Sequence, residues 1–171
     1  MKDFNNTIES WIKEIDKYDF LQLSDKPSPG SWSLGQVCMH LLQDTNFYIE
    51  QIHACITTND HAHEEATEDG KTMLANNDFP DAIIEGAPSN AHVPQPESKE
   101  WLMARLVDVR DEMKTLRKTI QETMYIGKTK HPGLGYFSAA EWFQFAGMHF
   151  RHHLRQKKRI DEFLKNNRGL G

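Results

Sequence analysis

The stretch WFQFAGMHFRHHLRQ, residues 142–156, decides how this chain is read. Its apolar residues recur at helical spacing, and the inward stripe runs Trp142, Phe145, Ala146, His149, His153, Gln156 and, further on, Ile160 and Phe163. The stripe is apolar, turns polar for two turns, and becomes apolar again. His149 and His153 are four residues apart, so on a helix they lie one above the other on the same face. Imidazoles aimed into a core are costly unless their nitrogens are satisfied. A divalent metal satisfies them well. Ser138 followed by Glu141 is a capping box that opens this helix.

A third histidine stands on another core-facing stripe. Ser33 and Gln36 form a second capping box, and the helix behind it carries Val37, Leu41, Tyr48, Ile52 and Cys55 inward, fading near Thr57. His40 lies on that stripe between Val37 and Leu41, with Asp44 one turn on. Neutral imidazole is the commonest metal ligand, and three histidines leave coordination positions open for water or substrate. The spacing therefore points to His40, His149 and His153 as metal ligands, with zinc, nickel or iron as the expected divalent ion. The alternative from spacing alone is three core histidines satisfied by ordinary hydrogen bonds. His152 falls toward a helix flank and is a possible substitute ligand, while Gln156 and Asp44 are candidates to orient an imidazole. Trp32, Phe47 and Trp142 are candidate apolar walls, or simply core.

Two further helices complete the pattern. The first runs from about Phe4 to Tyr18 with Phe4, Ile8, Trp11, Ile12 and Ile15 on one face, and Pro27, Pro29 and Gly30 then break the chain. Another begins near Ser98, with Leu102, Leu106, Val109, Met113, Leu116, Ile120 and Met124 as its stripe. Lys130 to Gly135 reads as a loop. Between Thr58 and Gln95 the periodicity disappears, and this segment reads as a long irregular insertion, a lid or substrate collar that Phe79, Ile83 and Ile84 would pin to the body. His61 and His63 lie in its acidic first half and read as solvated. The expected architecture is all-α, a single domain over residues 1–171 built from four amphipathic helices.

The chain has 171 residues and a formal net charge of −5, which argues against nucleic acid as a partner because phosphate binding needs a basic patch. The basic run Arg151, Arg155, Lys157, Lys158, Arg159 reads as a solvated helix face. No apolar run of transmembrane length and no signal peptide is evident, so the expectation is a cytoplasmic protein without a membrane partner. Cys38 and Cys55 fall on one helix, 17 residues and roughly 25 Å apart, and read as buried free thiols.

Two segments carry a family resemblance. Trp32-Ser33-Leu34-Gly35-Gln36-Val37-Cys38-Met39-His40-Leu41 is similar to the Trp-Ser-x-Gly-(Glu/Gln)-x-x-x-His-Leu opening of the DinB-like superfamily. His149-Phe150-Arg151-His152-His153-Leu154-Arg155-Gln156 is similar to its closing His-x-x-His-His-x-x-Gln segment. The resemblance covers nearly the whole chain outside the insertion. It implies a four-helix up-down-down-up bundle with a divalent metal on His40, His149 and His153, and a position at His152 that is not usually a ligand. It also implies a metal-dependent enzyme acting on a small electrophilic molecule, either a thiol S-transferase with a low-molecular-weight thiol as cosubstrate or a hydrolase. No general base stands beside the histidines, since Glu141 is a capping residue. A non-catalytic, metal-binding stress-response bundle, paired as a homodimer, is therefore the rival expectation.

Overall fold

The computed structural model describes residues 4–80 and 92–168. The chain is mostly helical: α1 (Phe4–Ile15), α2 (Phe20–Ser24), α3 (Leu34–Cys55), α4 (Glu68–Asn76), α5 (Lys99–Glu122), a hairpin of β1 (Lys128–His131) and β2 (Gly135–Ser138), and α6 (Ala139–Arg168). The four long helices pack around one core. α1 touches α5 and α6, α3 touches the same two, and α3 and α6 share the largest interface. That interface is where the expected histidines lie.

Both capping boxes form. Ser33 Oγ accepts from Gln36 N, and the Gln36 side chain accepts from Ser33 N. Ser138 N donates to Glu141 Oε2 at 2.7 Å, and Glu141 N donates back to Ser138 Oγ. Each box ties down donors that a helix start would otherwise leave open, and so fixes where α3 and α6 begin relative to their histidines. Gly35 is needed one turn before His40. A Cβ there would meet Leu23 O at 2.8 Å and Pro96 Cδ at 2.9 Å, so only glycine lets α2 and the segment before α5 close on α3.

The core residues are those of the four stripes, including Ile8, Trp11, Leu41, Ile52, Leu102, Leu106, Met113 and Trp142, all essentially inaccessible. Several expectations need correction. α5 ends at Glu122, so Met124 is exposed rather than part of its stripe. Phe163 is only half-buried, and Leu164 takes the core position at the end of α6. The predicted break after the first helix contains a short helix, α2, capped by Asp19. The predicted loop at Lys130–Gly135 holds the ends of β1 and β2 and the turn 132–134 between them, a small hairpin within a mostly helical fold.

The segment from Thr58 is also not structureless. Gly127 N and Lys128 N donate to Thr58 O and Asp60 O, Thr67 N donates to Leu134 O, and Tyr136 N donates to Glu65 O. These bonds lay residues 58–67 along the hairpin. Gly135 permits the approach: its φ is +82° and a Cβ there would sit 2.7 Å from Glu65 O. α4 follows, capped by Thr67, with Asn77 in the left-handed conformation at its end. Phe79 packs on the core as expected, whereas Ile83 and Ile84 lie outside the described residues. Val93 and Gln95 close the segment back onto α3 through Gln36 and Ser33. It is therefore built into the body at both ends.

The basic run of α6 is not one solvated face. Arg155, Lys158 and Arg159 are exposed, but Lys157 is buried. Its amine lies 2.6 Å from Asp161 Oδ2 and 3.4 Å from Glu14 Oε2, and Tyr18 Oη donates to Asp161 Oδ1 at 2.8 Å. Helical period explains this: residue 157 falls one turn beyond His153, on the inward stripe. Removing the cation alone would strand two carboxylates at the α1–α6 contact. Lys157→Met is expected to lower the unfolding free energy by about 2–3 kcal/mol, less than for a fully buried pair because Glu14 is partly solvated. A change below about 0.5 kcal/mol in urea titration would show that the pair holds nothing together.

Candidate metal centre

His40 projects from the second turn of α3, and His149 and His153 project from successive turns of α6. All three are buried, at 5%, 6% and 9% exposure. Their Nε2 atoms converge: His40 to His149 is 3.0 Å and His149 to His153 is 3.1 Å. The ring centroids form a nearly regular triangle with sides of 4.8, 4.9 and 4.8 Å. Among the described residues these are the histidine, cysteine and carboxylate side chains that could together hold a metal ion.

Hydrogen bonds alone account poorly for this arrangement. A neutral Nε2 either carries one hydrogen or offers one lone pair. His149 Nε2 is approached by two other Nε2 atoms, so it cannot serve both well. Gln156 Oε1 lies 2.8 Å from His153 Nδ1 and accepts its hydrogen, which leaves the His153 Nε2 lone pair aimed at the cluster. A neutral imidazole held in this tautomer by a partner on its far side is how metal-binding histidines are prepared. Gln156 thus occupies the orienting position expected of it. His149 has no such partner: its Nδ1 is buried without a hydrogen bond among the described residues. Its ring is held by packing instead, with Tyr48 and Phe79 each at 6.0 Å. The donor set is three neutral nitrogens facing one point, and it fits a divalent cation.

Burial sets the charge state. It pushes His40 and His153 down to about 4, and His149 well below its ordinary value, with the neighbouring imidazoles adding to the effect. The triad is therefore neutral, the form a metal requires, across the physiological range. Asp44 moves the other way: burial raises its carboxyl to about 6, against a hydrogen bond from Tyr48. A pH dependence follows. Between about 4 and the ordinary 6.5, the unfolded chain binds protons that the folded triad refuses. Stability is complete above 6.5 and is lost as pH falls through that window. Asp44 offsets part of this, because between 3.8 and about 6 it is the folded state that holds the extra proton. The metal-free protein should lose on the order of 3 kcal/mol or more between about pH 7 and pH 4, read from urea unfolding. A flat profile would mean that the imidazoles take up protons in the folded protein as readily as in the unfolded chain.

The remaining expected residues divide. Trp32 does flank the triad, its ring 5.0 Å from His40. Trp142 is fully buried one layer away, stacked on Tyr48 at 5.6 Å with its Nε1 donating to Thr129 Oγ1, so it is support rather than wall. Phe47 rests edge-on against Trp142 and is partly exposed. His152 stays outside the triad, its ring 5.2 Å from both His153 and Phe79. His61 and His63 are exposed, and His61 lies against Tyr136. Asp44 is near the triad but not where an orienting group sits: its Oδ2 faces His40 Nε2 at 3.7 Å and His149 Nε2 at 3.8 Å.

Two contributions were missed. Phe79 covers His149 and His152 from the segment after α4. Arg151 and Gln144 hold that segment on α6 by bonding Asn77 and the carbonyl of Leu74. Thr67 as a cap, Glu68 and Asp69 in the first turn, and the Met73-Leu74 pair were the available signals.

Helices crossing over a buried three-histidine cluster define a class of helical protein equipped to hold a metal ion. The DinB superfamily matches residues 7–156, and the chain belongs to that superfamily. Among the curated proteins and the solved structures compared, none matches. No helix among the described residues is long and apolar enough to cross a membrane.

Proposed function

We propose that the protein is a metal-dependent enzyme that transfers a thiol to a small electrophile, with hydrolysis as the second chemistry open to the same site. The observation that carries this reading is the convergence of the His40, His149 and His153 Nε2 atoms on one point. The four long helices are read as the up-down-down-up bundle of the superfamily, in which α3 and α6 face each other. A divalent ion there, with zinc, nickel or iron best suited to imidazole, supplies a Lewis acid that favours a thiolate or the hydroxide form of water. Gln156 fixes the tautomer of His153. Trp32 and Phe79 give the cluster apolar flanks, which keep bulk water away and strengthen electrostatic interactions inside. Asp44, about a third exposed, marks the side from which a small molecule reaches the triad.

The test is turnover of a thiol with chlorodinitrobenzene by protein loaded with each candidate metal. Metal-dependent product formation above the metal-free control is expected. Absence of transfer and of ester hydrolysis with every metal would overturn the catalytic reading. A second reading draws on the exposed apolar run Met124, Tyr125, Ile126 beside a groove of about 590 Å³ lined by Ile56, Thr119 and Thr123. Such a surface suits pairing with a second copy in a metal-binding protein that does no chemistry. Dimerisation lost on Ile126→Asp, with no turnover in the parent, would favour it.

A further inference from the structure

Asp44 stands one turn after His40 on α3, and its carboxylate approaches the inner edges of the imidazoles. A group that merely orients a metal-binding histidine bonds the far nitrogen, as Gln156 does at His153 Nδ1. Asp44 Oδ2 instead faces the two Nε2 atoms of His40 and His149, at 3.7 and 3.8 Å. Donor atoms sharing one tetrahedral ion lie about 3.3 Å apart, from bonds of about 2.0–2.1 Å. The imidazole separations of 3.0 and 3.1 Å fall just inside that spacing; the carboxylate stands 3.7 and 3.8 Å from two of the three Nε2 atoms, outside the tight group the imidazoles form, and a small inward rotation would bring it to the ion.

Charge points the same way. Among the described residues no lysine or arginine pairs with Asp44, and its hydrogen bond comes from Tyr48 Oη at 3.4 Å. A carboxylate about a third exposed, with neutral imidazoles on its inner side, lacks a counter-ion, and its partial burial disfavours the charged form unless a cation joins it. Tyr48 is buried and stacked on Trp142, so the hydroxyl that meets Asp44 sits on a rigid support.

Building on the metal reading of the triad, we propose that Asp44 is the fourth protein donor of the site, its Oδ2 joining the three Nε2 atoms around the ion, with Tyr48 positioning the carboxylate. The site then offers three neutral donors and one anion. The carboxylate cancels one of the ion's two positive charges and takes one of the positions the three imidazoles leave open, so a thiol or water would bind by expanding the ion's coordination beyond four.

Zinc affinity measured by chelator competition, and the visible spectrum of the cobalt(II)-loaded protein, test this. Replacing a partner outside the ligand set weakens metal binding by about 10- to 100-fold, so loss of a direct donor should exceed about 100-fold. Asp44→Asn is expected to weaken zinc by more than that and to change the cobalt spectrum, while Tyr48→Phe weakens zinc by no more than about 10- to 100-fold and leaves the spectrum nearly as it was. A weaker effect of Asp44→Asn with an unaltered cobalt spectrum overturns the proposal and leaves the triad standing. If the unaltered protein binds neither metal, the metal reading itself fails and this proposal with it. Should Asp44→Asn not fold, Asp44→Ser is judged by the same criteria.

Discussion

Saturating zinc should stabilise the protein by about 4 kcal/mol when the free ion stands a thousandfold above its dissociation constant, and should not stabilise His149→Ala at all. The argument runs from geometry. His149 Nε2 is the atom shared by both short contacts of the triad, to His40 at 3.0 Å and to His153 at 3.1 Å. Removing it leaves two imidazoles on different helices with no common partner. The same variant loses an imidazole whose charging burial strongly resists, so its metal-free form should depend less on pH than the parent. Thermal unfolding with and without zinc, for the parent and for His149→Ala, reads both effects. Equal stabilisation of the two proteins would place the bound ion elsewhere.

The second large effect is structural. Trp142 has no exposed surface; its ring stacks on Tyr48 and meets Phe137 and Phe145, and its Nε1 donates to Thr129 at 2.7 Å. It joins α6 to α3 and to the hairpin in one contact set. Trp142→Ala removes that volume and the hydrogen bond to Thr129, whose hydroxyl keeps its contact with Cys55 Sγ, and should cost about 3–5 kcal/mol in urea unfolding. Because Tyr48 loses the face it rests on, zinc affinity should fall as well. A cost under about 1 kcal/mol would mean that the hairpin collapses to refill the space.

How far the sequence is legible follows from where backbone and side chains find their partners. α3, α5 and α6 declare themselves because their inward residues recur at helical period and Ser33, Ser98 and Ser138 cap them. The triad is legible for the same reason: period alone places His40, His149 and His153 on facing stripes. The hairpin was hidden because Pro132, Gly133 and Gly135 speak for a turn, while its strands are four residues each and one is mostly Lys and Thr. Residues 58–67 have no period since their bonds are made by backbone atoms, which sequence pattern does not report. α4 lies mostly on the surface, its glycine buried against Leu134, so no apolar stripe announces it. Lys157 was misplaced by grouping it with its charged neighbours in sequence instead of by its angle on the helix, where Asp161 and Glu14 wait for it.

The central claim is that the three histidines exist to hold a divalent ion. Elemental analysis of protein purified without a histidine tag tests it most directly, because it reads the identity and the stoichiometry of the metal together. The expected result is about one divalent ion per chain in the parent and none in His149→Ala or His153→Ala, with His61→Ala and His63→Ala unchanged. A parent without metal that also takes none up from excess zinc, or a His149→Ala variant with full occupancy, would contradict it.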